Sequence, residues 1–239
     1  MMSLLYEIFY RPLFNALFFI YGNVAFYDLG LAIIILTIVV RLILYPLFHR
    51  SQKHQTVMQK IQPKIKALQT LHKEDKVKQT TAMMALYKEH NVNPFSGIFL
   101  ILLQIPVFIG LYKVFSQEFT DASFQALYVF VAKPIEVHTS LLGLINLYES
   151  SIILIAIAAI LQYIQGYLSL PKATGDGPLG TQERIGRQMV YIAPLLTVTI
   201  LWQFPSAVAL YWATTSLFSV IQQLVVNRQL KKSDLATTA

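Results

Sequence analysis

Along the chain, apolar residues gather in five long runs instead of an amphipathic repeat, and polar residues collect between them. The runs cover 29–49, 97–117, 150–168, 189–203 and 207–226, and they approach the roughly 20 residues that an α-helix needs to cross a bilayer. They predict an all-α polytopic membrane protein with five transmembrane helices. Phe204, Pro205 and Ser206 predict a tight turn between the last two, because proline cannot continue a helix. Two other apolar stretches fall short of a span. Within residues 1–28, the segment 13–21 is interrupted by Asn15, preceded by Pro12 and flanked by many Phe and Tyr. That suits an N-terminal helix lying in the membrane interface, where aromatic rings are stable. A secretory signal peptide is the competing reading, but no basic leader region or small-residue cleavage site supports it. Residues 126–132 end at Lys133 and Pro134, too soon to cross, and fall in an outer loop over 118–149.

Between the first two spans, residues 50–96 are the one long polar stretch, and their spacing is helical. Val57, Ile61, Ile65, Leu68 and Leu71 recur every three or four positions and draw one apolar stripe. A second helix is expected over 77–90 with Met83, Met84, Leu86 and Tyr87 apolar, so the pair predicts an antiparallel hairpin that breaks at Lys73, Glu74 and Asp75. Pro63 belongs at a kink or a first turn, and Asn93-Pro94 ends the second helix. This basic hairpin reads either as a solvated element that enforces topology or as a contact surface for anionic lipid, a nascent chain or an RNA-rich partner.

Charge supplies the orientation. Only 13% of the 239 residues are charged, too few for a soluble surface, yet the net charge is +7. Fifteen of the 19 Lys and Arg fall in residues 50–96, the loop 169–188 and the tail 227–239. Basic residues accumulate in cytoplasmic loops, so the chain is expected to run N-out and C-in. Formal charge then divides into +9 inside, −3 outside and +1 within the membrane. With no cysteine, there is no disulfide framework, thiolate nucleophile or Cys-ligated metal site.

The charge within the membrane is Arg41, the thirteenth residue of the first run. An Arg at that depth costs at least about 2.5 to 3.5 kcal/mol, and no Asp or Glu lies in any expected span to pair with it. Thr37 and Tyr45 lie four residues to either side and place a polar stripe on its helix. Gln104, Gln162, Gln165, Thr197, Thr199, Trp212, Thr214, Thr215 and Ser216 offer polar side chains from the other spans. An unpaired cation of this kind either snorkels to lipid phosphates or faces a wet cavity that attracts an anionic visitor. Two functions use such a cavity: an anion transporter or channel, and a factor that holds hydrophilic, often acidic, segments while their apolar neighbours enter lipid. Transporters usually carry repeated halves, and the sequences around Pro106 and Pro194 do not repeat. An enzyme is not expected, since the five His show no metal-ligand pairing and no phosphate loop occurs; no cofactor or metal is expected either.

Several segments in order resemble the YidC/Oxa/Alb family of membrane protein insertases: TIVVRLILYPL over 37–47, MQKIQPKIKALQ over 58–69, LYKEHNVNPFSG over 86–97, LLQIPVFIGLY over 102–112, FPSAVALYW over 204–212 and IQQ over 221–223. The resemblance implies a five-span core around a hydrophilic groove open to cytoplasm and lipid. The intramembrane Arg recruits a hydrophilic substrate tail there, and the substrate leaves sideways as a transmembrane helix. Matched by motif, Arg41 takes that role, with Thr37 beside it and Gln104, Gln162 or Gln165, and Trp212 lining the groove. Implied partners are nascent membrane proteins and the bilayer, with a Sec-type translocon and the ribosome as further candidates; direct nucleic-acid recognition is not implied. Residues 1–239 show no large outer domain with an extra first span, no lipoprotein cysteine and no organellar transit peptide. A short bacterial form in the plasma membrane is therefore expected.

Overall fold

The computed structural model describes residues 6–116, 119–170 and 181–237. Expectations for Leu4, Leu5, Glu118, Lys172 and Asp176 lie outside the described residues. A π-helical turn, Tyr6–Tyr10, leads into α1 (Arg11–Asn23), with Pro12 in its first turn. Then come α2 (Leu29–Ile43), α3 (Tyr45–Lys60), α4 (Gln62–Leu71), α5 (Lys76–Glu89) and α6 (Ser96–Ser116). After the short α7 (Asp121–Phe124), a two-stranded antiparallel hairpin pairs β1 (Ser140–Leu141) with β2 (Ile145–Asn146). The chain closes with α8 (Ile152–Ser169), α9 (Thr181–Leu201) and α10 (Ser206–Thr237).

Among the described residues, α8 and residues 206–231 of α10 are each long and apolar enough to cross a membrane, and α2 with α3 forms a third, bent candidate. The helix expected over 29–49 is thus broken. Pro46 has no N–H to give the Leu42 carbonyl and its ring crowds the preceding turn, so the axis turns by 69° at Leu44. Alone, α2 has 15 residues and a length of about 22 Å at 1.5 Å per residue, short of the roughly 30 Å hydrocarbon core. The fourth run forms the C-terminal part of α9, which begins earlier, and the fifth runs on past the expected 226 in α10. The turn expected over 204–206 falls at 202–205, and Ser206 already begins α10.

Most of the core lies where α1 meets the bundle. Phe14, Leu17 and Tyr21 are fully buried with Ile33, Leu111, Val114, Ile155 and Val208. The N-terminal helix, expected as an interfacial helix, thus packs one face on protein. Phe14 and Phe18 meet the rings of Phe119 and Phe124 at 5.1 to 6.4 Å. Asn15, which interrupts the apolar run, is buried because its amide donates to the Ala126 carbonyl at 2.9 Å and its carbonyl accepts Tyr128 N–H. It pins the 126–128 loop to α1 and satisfies that loop's backbone.

The hairpin α4/α5 has its own small core of Ile61, Ile65, Leu86, Tyr87 and Val92. Pro63 sits in the first turn of α4, one of the two places expected. The apolar stripe stops at Leu68, and Leu71, at the tip, is 73% exposed. Asp75 caps α5, its carboxylate accepting the Val77 and Lys78 N–H groups at 3.1 and 3.0 Å. These bonds hold its pKa below the ordinary 3.8. A depressed carboxylate pKa contributes stability above the unfolded value that is lost as pH falls through the folded one. Amide exchange at Val77 and Lys78 is therefore expected to speed up once the pH drops below 3.8, beyond its intrinsic pH dependence. Asp75→Asn retains a cap and is expected to remove that acid dependence.

Candidate functional site

A cavity of about 860 Å³ opens among α2, α3, α6, α8, α9 and α10. Arg41, Gln104, Gln162, Gln165 and Trp212 all line it. Thr37 does not; it is buried on α2, its hydroxyl donating to the Ile33 carbonyl at 2.6 Å. Such a back-bond uses the hydroxyl's one proton within its own helix.

The break at Leu44 fixes the setting of Arg41. It places Arg41 in the last turn of α2, where the negative end of the helix dipole favours a cation. The side chain reaches α10, donating to the Thr215 carbonyl at 3.2 Å and to the Ser219 hydroxyl. Its guanidinium also lies over the Phe48 ring at 4.2 Å and near Phe218 at 5.4 Å. The aromatic faces supply electrostatic attraction where water is scarce. Arg41 is only 5% exposed, and its Nε has no hydrogen-bond partner among the described residues. No carboxylate lies within 4.0 Å of it among those residues, as its apolar run suggested. The cation is thus held by dipoles and rings, its charge unneutralised.

The rest of the lining is mainly apolar, with Ile105, Phe108, Met189, Val190 and Ile200 among its residues, and polar pairs between helices interrupt it. Gln104 of α6 donates to the Tyr211 hydroxyl of α10, and the Thr197 hydroxyl of α9 donates to Gln162 of α8. Trp212 sits edge-on to Phe108 at 6.2 Å. Sequence reasoning missed Tyr211 and Ser219, although Trp212, Thr215, Ser216, Ser219, Gln222 and Gln223 recur at helical spacing and draw a visible polar stripe. Gln222 and Gln223 use that stripe structurally. Gln222 donates to the Tyr45 carbonyl at 3.3 Å, just past the break, and Gln223 donates to the Thr56 hydroxyl at 3.1 Å. Gln59 and Gln62, at the junction of α3 and α4, also border the cavity.

The model of the family described as 60Kd inner membrane protein matches residues 19–233. The chain belongs to that family. The Geobacter sulfurreducens protein named membrane protein insertase YidC is 32% identical over 226 residues, which cover 94% of this chain and 38% of that protein. The protein of the same name from Tolumonas auensis is 35% identical over 230 residues, 94% of this chain and 37% of its own length. A third, from Rickettsia rickettsii, is 29% identical over 221 residues. The chain thus spans less than two fifths of the length of these relatives. Family membership and the apolar helices make it a multi-pass protein of the bacterial inner membrane.

Proposed function

We propose that this protein is an insertase that takes hydrophilic, often acidic, segments of nascent membrane proteins into the Arg41 cavity and releases their apolar helices sideways into lipid. The observation that carries this reading is a buried guanidinium facing a large cavity without a carboxylate partner among the described residues. Such a charge attracts a carboxylate that arrives and leaves, and no covalent step is needed. The insertase relatives support the same reading.

The reading includes five spans, with the N-terminus outside and the C-terminus in the cytoplasm, where basic residues of 50–96 would lie. It places the edge of the cavity that Gln59 and Gln62 line on the cytoplasmic side. A Sec-type translocon and the ribosome are partners in this scheme. Substrate movement draws on apolar partition and on the membrane potential, about 2.3 kcal/mol per charge per 100 mV.

Photo-crosslinking tests the route. A photoreactive residue at Gln104 or Trp212 is expected to capture a single-span substrate stalled during insertion. One at the exposed Ile157 of α8 is expected to capture lipid instead. Equal substrate capture at all three positions, or none at Gln104 and Trp212, overturns the route.

A further inference from the structure

At the end of the bundle where α2, α8 and α10 begin, two turns push apolar side chains outward. The turn between α1 and α2 presents Val24, Phe26 and Tyr27, which are 49%, 89% and 56% exposed. The β1–β2 hairpin presents Leu142 and Leu144, 61% and 84% exposed. The two turns are one structure. Asp28 accepts the Leu31 N–H at 2.8 Å, capping α2, and with its other oxygen accepts the Leu142 N–H at 2.6 Å. Gly30 permits the approach, since a Cβ there would lie 2.8 Å from the Leu141 Cα.

Three of the residues at these turns, Phe26, Tyr27 and Leu142, have φ of 52°, 60° and 53°, a region that bulky side chains avoid. Backbone strain persists only where its surroundings hold it, and it concentrates at functional positions. Here it keeps large apolar groups outside the core. Apart from Asp28, which these bonds consume, residues 22–30 and 139–148 carry no Asp, Glu, Lys or Arg.

We infer that the paired turns form an anchor that inserts into the headgroup and acyl boundary of the adjoining leaflet. The occupant is a lipid surface, not a protein, for two reasons on the molecule itself. Tyr27 lies two residues before Leu29, where the apolar helix α2 begins, which sets the first turn at the end of a membrane-crossing element. Within residues 22–30 and 139–148 the turns also combine aromatic and aliphatic groups with no charge besides the hydrogen-bonded Asp28, the composition of a membrane interface. By fixing the start of α2, the anchor sets how deeply that short helix sits in the bilayer.

The absence of native cysteine allows a direct test. Single cysteines at Val24 and Leu144, which avoid the strained positions, are labelled with a polarity-sensitive fluorophore. The full chain is then reconstituted in phosphatidylethanolamine and phosphatidylglycerol vesicles. A cysteine at Leu71, on the exposed hairpin tip, serves as the aqueous reference. Labels at 24 and 144 are expected to emit at shorter wavelength than the reference. Lipids carrying a shallow nitroxide are expected to quench them at least twofold, with aqueous iodide nearly without effect. Asp28→Ala, which unties the turns, is expected to restore iodide quenching at 144. Iodide quenching of both labels in the otherwise unchanged chain overturns the anchor, as does protection from both quenchers, which would mean that protein covers the turns. The readout is depth, so a failure of substrate insertion leaves it unaffected.

Discussion

Arg41→Ala is expected to slow insertion of an acidic-tailed single-span substrate into proteoliposomes by about 10- to 100-fold. A hydrogen bond to a charged group contributes about 1.5 to 3 kcal/mol, and roughly 1.4 kcal/mol corresponds to a factor of ten. The variant removes both the bonds to Thr215 and Ser219 and the only formal charge that the described lining residues bring to the cavity. Arg41→Lys is expected to fall between the two. It keeps the charge but loses the planar fork that reaches α10 and stacks on Phe48. A substrate whose tail carries no acid is expected to show a smaller difference among the three proteins. Equal rates for all three on the acidic substrate would refute a role for the charge. Saturable flux of small anions through the same vesicles, abolished by Arg41→Ala, would instead favour a transporter.

Phe14→Ala is expected to be the most destabilising single change in the N-terminal helix, at about 3 to 5 kcal/mol. Phe14 is 0% exposed and touches aromatic rings on both sides, Tyr10 and Phe18 along its helix and Phe119 and Phe124 across from it. Truncation leaves a void between α1 and the 119–124 segment that neither can close without losing the Asn15 bonds to the 126–128 loop. The check is thermal unfolding in detergent beside Phe19→Ala. Phe19 is 48% exposed on the opposite face, and its truncation is expected to change the midpoint little. Similar midpoints for the two variants would mean that α1 does not depend on its packing against the bundle.

The charge at position 41 was legible from the sequence because nothing else in its apolar run is charged. Gln104, Gln162, Gln165 and Trp212 were legible through motif resemblance, and the structure brings them to one cavity with Arg41. Ser219 and Tyr211 were harder to find. Hydroxyls in apolar helices usually donate to their own backbone, as both Thr37 and Ser219 do, so the bond that Ser219 also accepts from Arg41 leaves no mark in the sequence. The inward face of α1 was hidden for a related reason. Lipid tails and protein interiors are similarly apolar, so a Phe-rich stripe does not reveal which one it will meet. The break at Leu44 was signalled by Pro46, yet hydropathy averaged over 29–49 smooths across it. The β1–β2 hairpin has two residues in each strand, below the length at which alternation can be detected.

The 69° turn at Leu44 also makes a separate element of α3. Its near end carries Phe48, whose ring covers the Arg41 guanidinium, and its far end at Lys60 leads into the basic α4/α5 hairpin. The 12 residue steps from Phe48 to Lys60 span about 18 Å at 1.5 Å per residue, beginning beside an elbow one turn from the cation. Gln222 and Gln223 hold α3 against α10 at two points. The ring that covers the guanidinium and the start of the basic hairpin thus stand at opposite ends of one continuous helix, tied to α10 near its elbow and along its length.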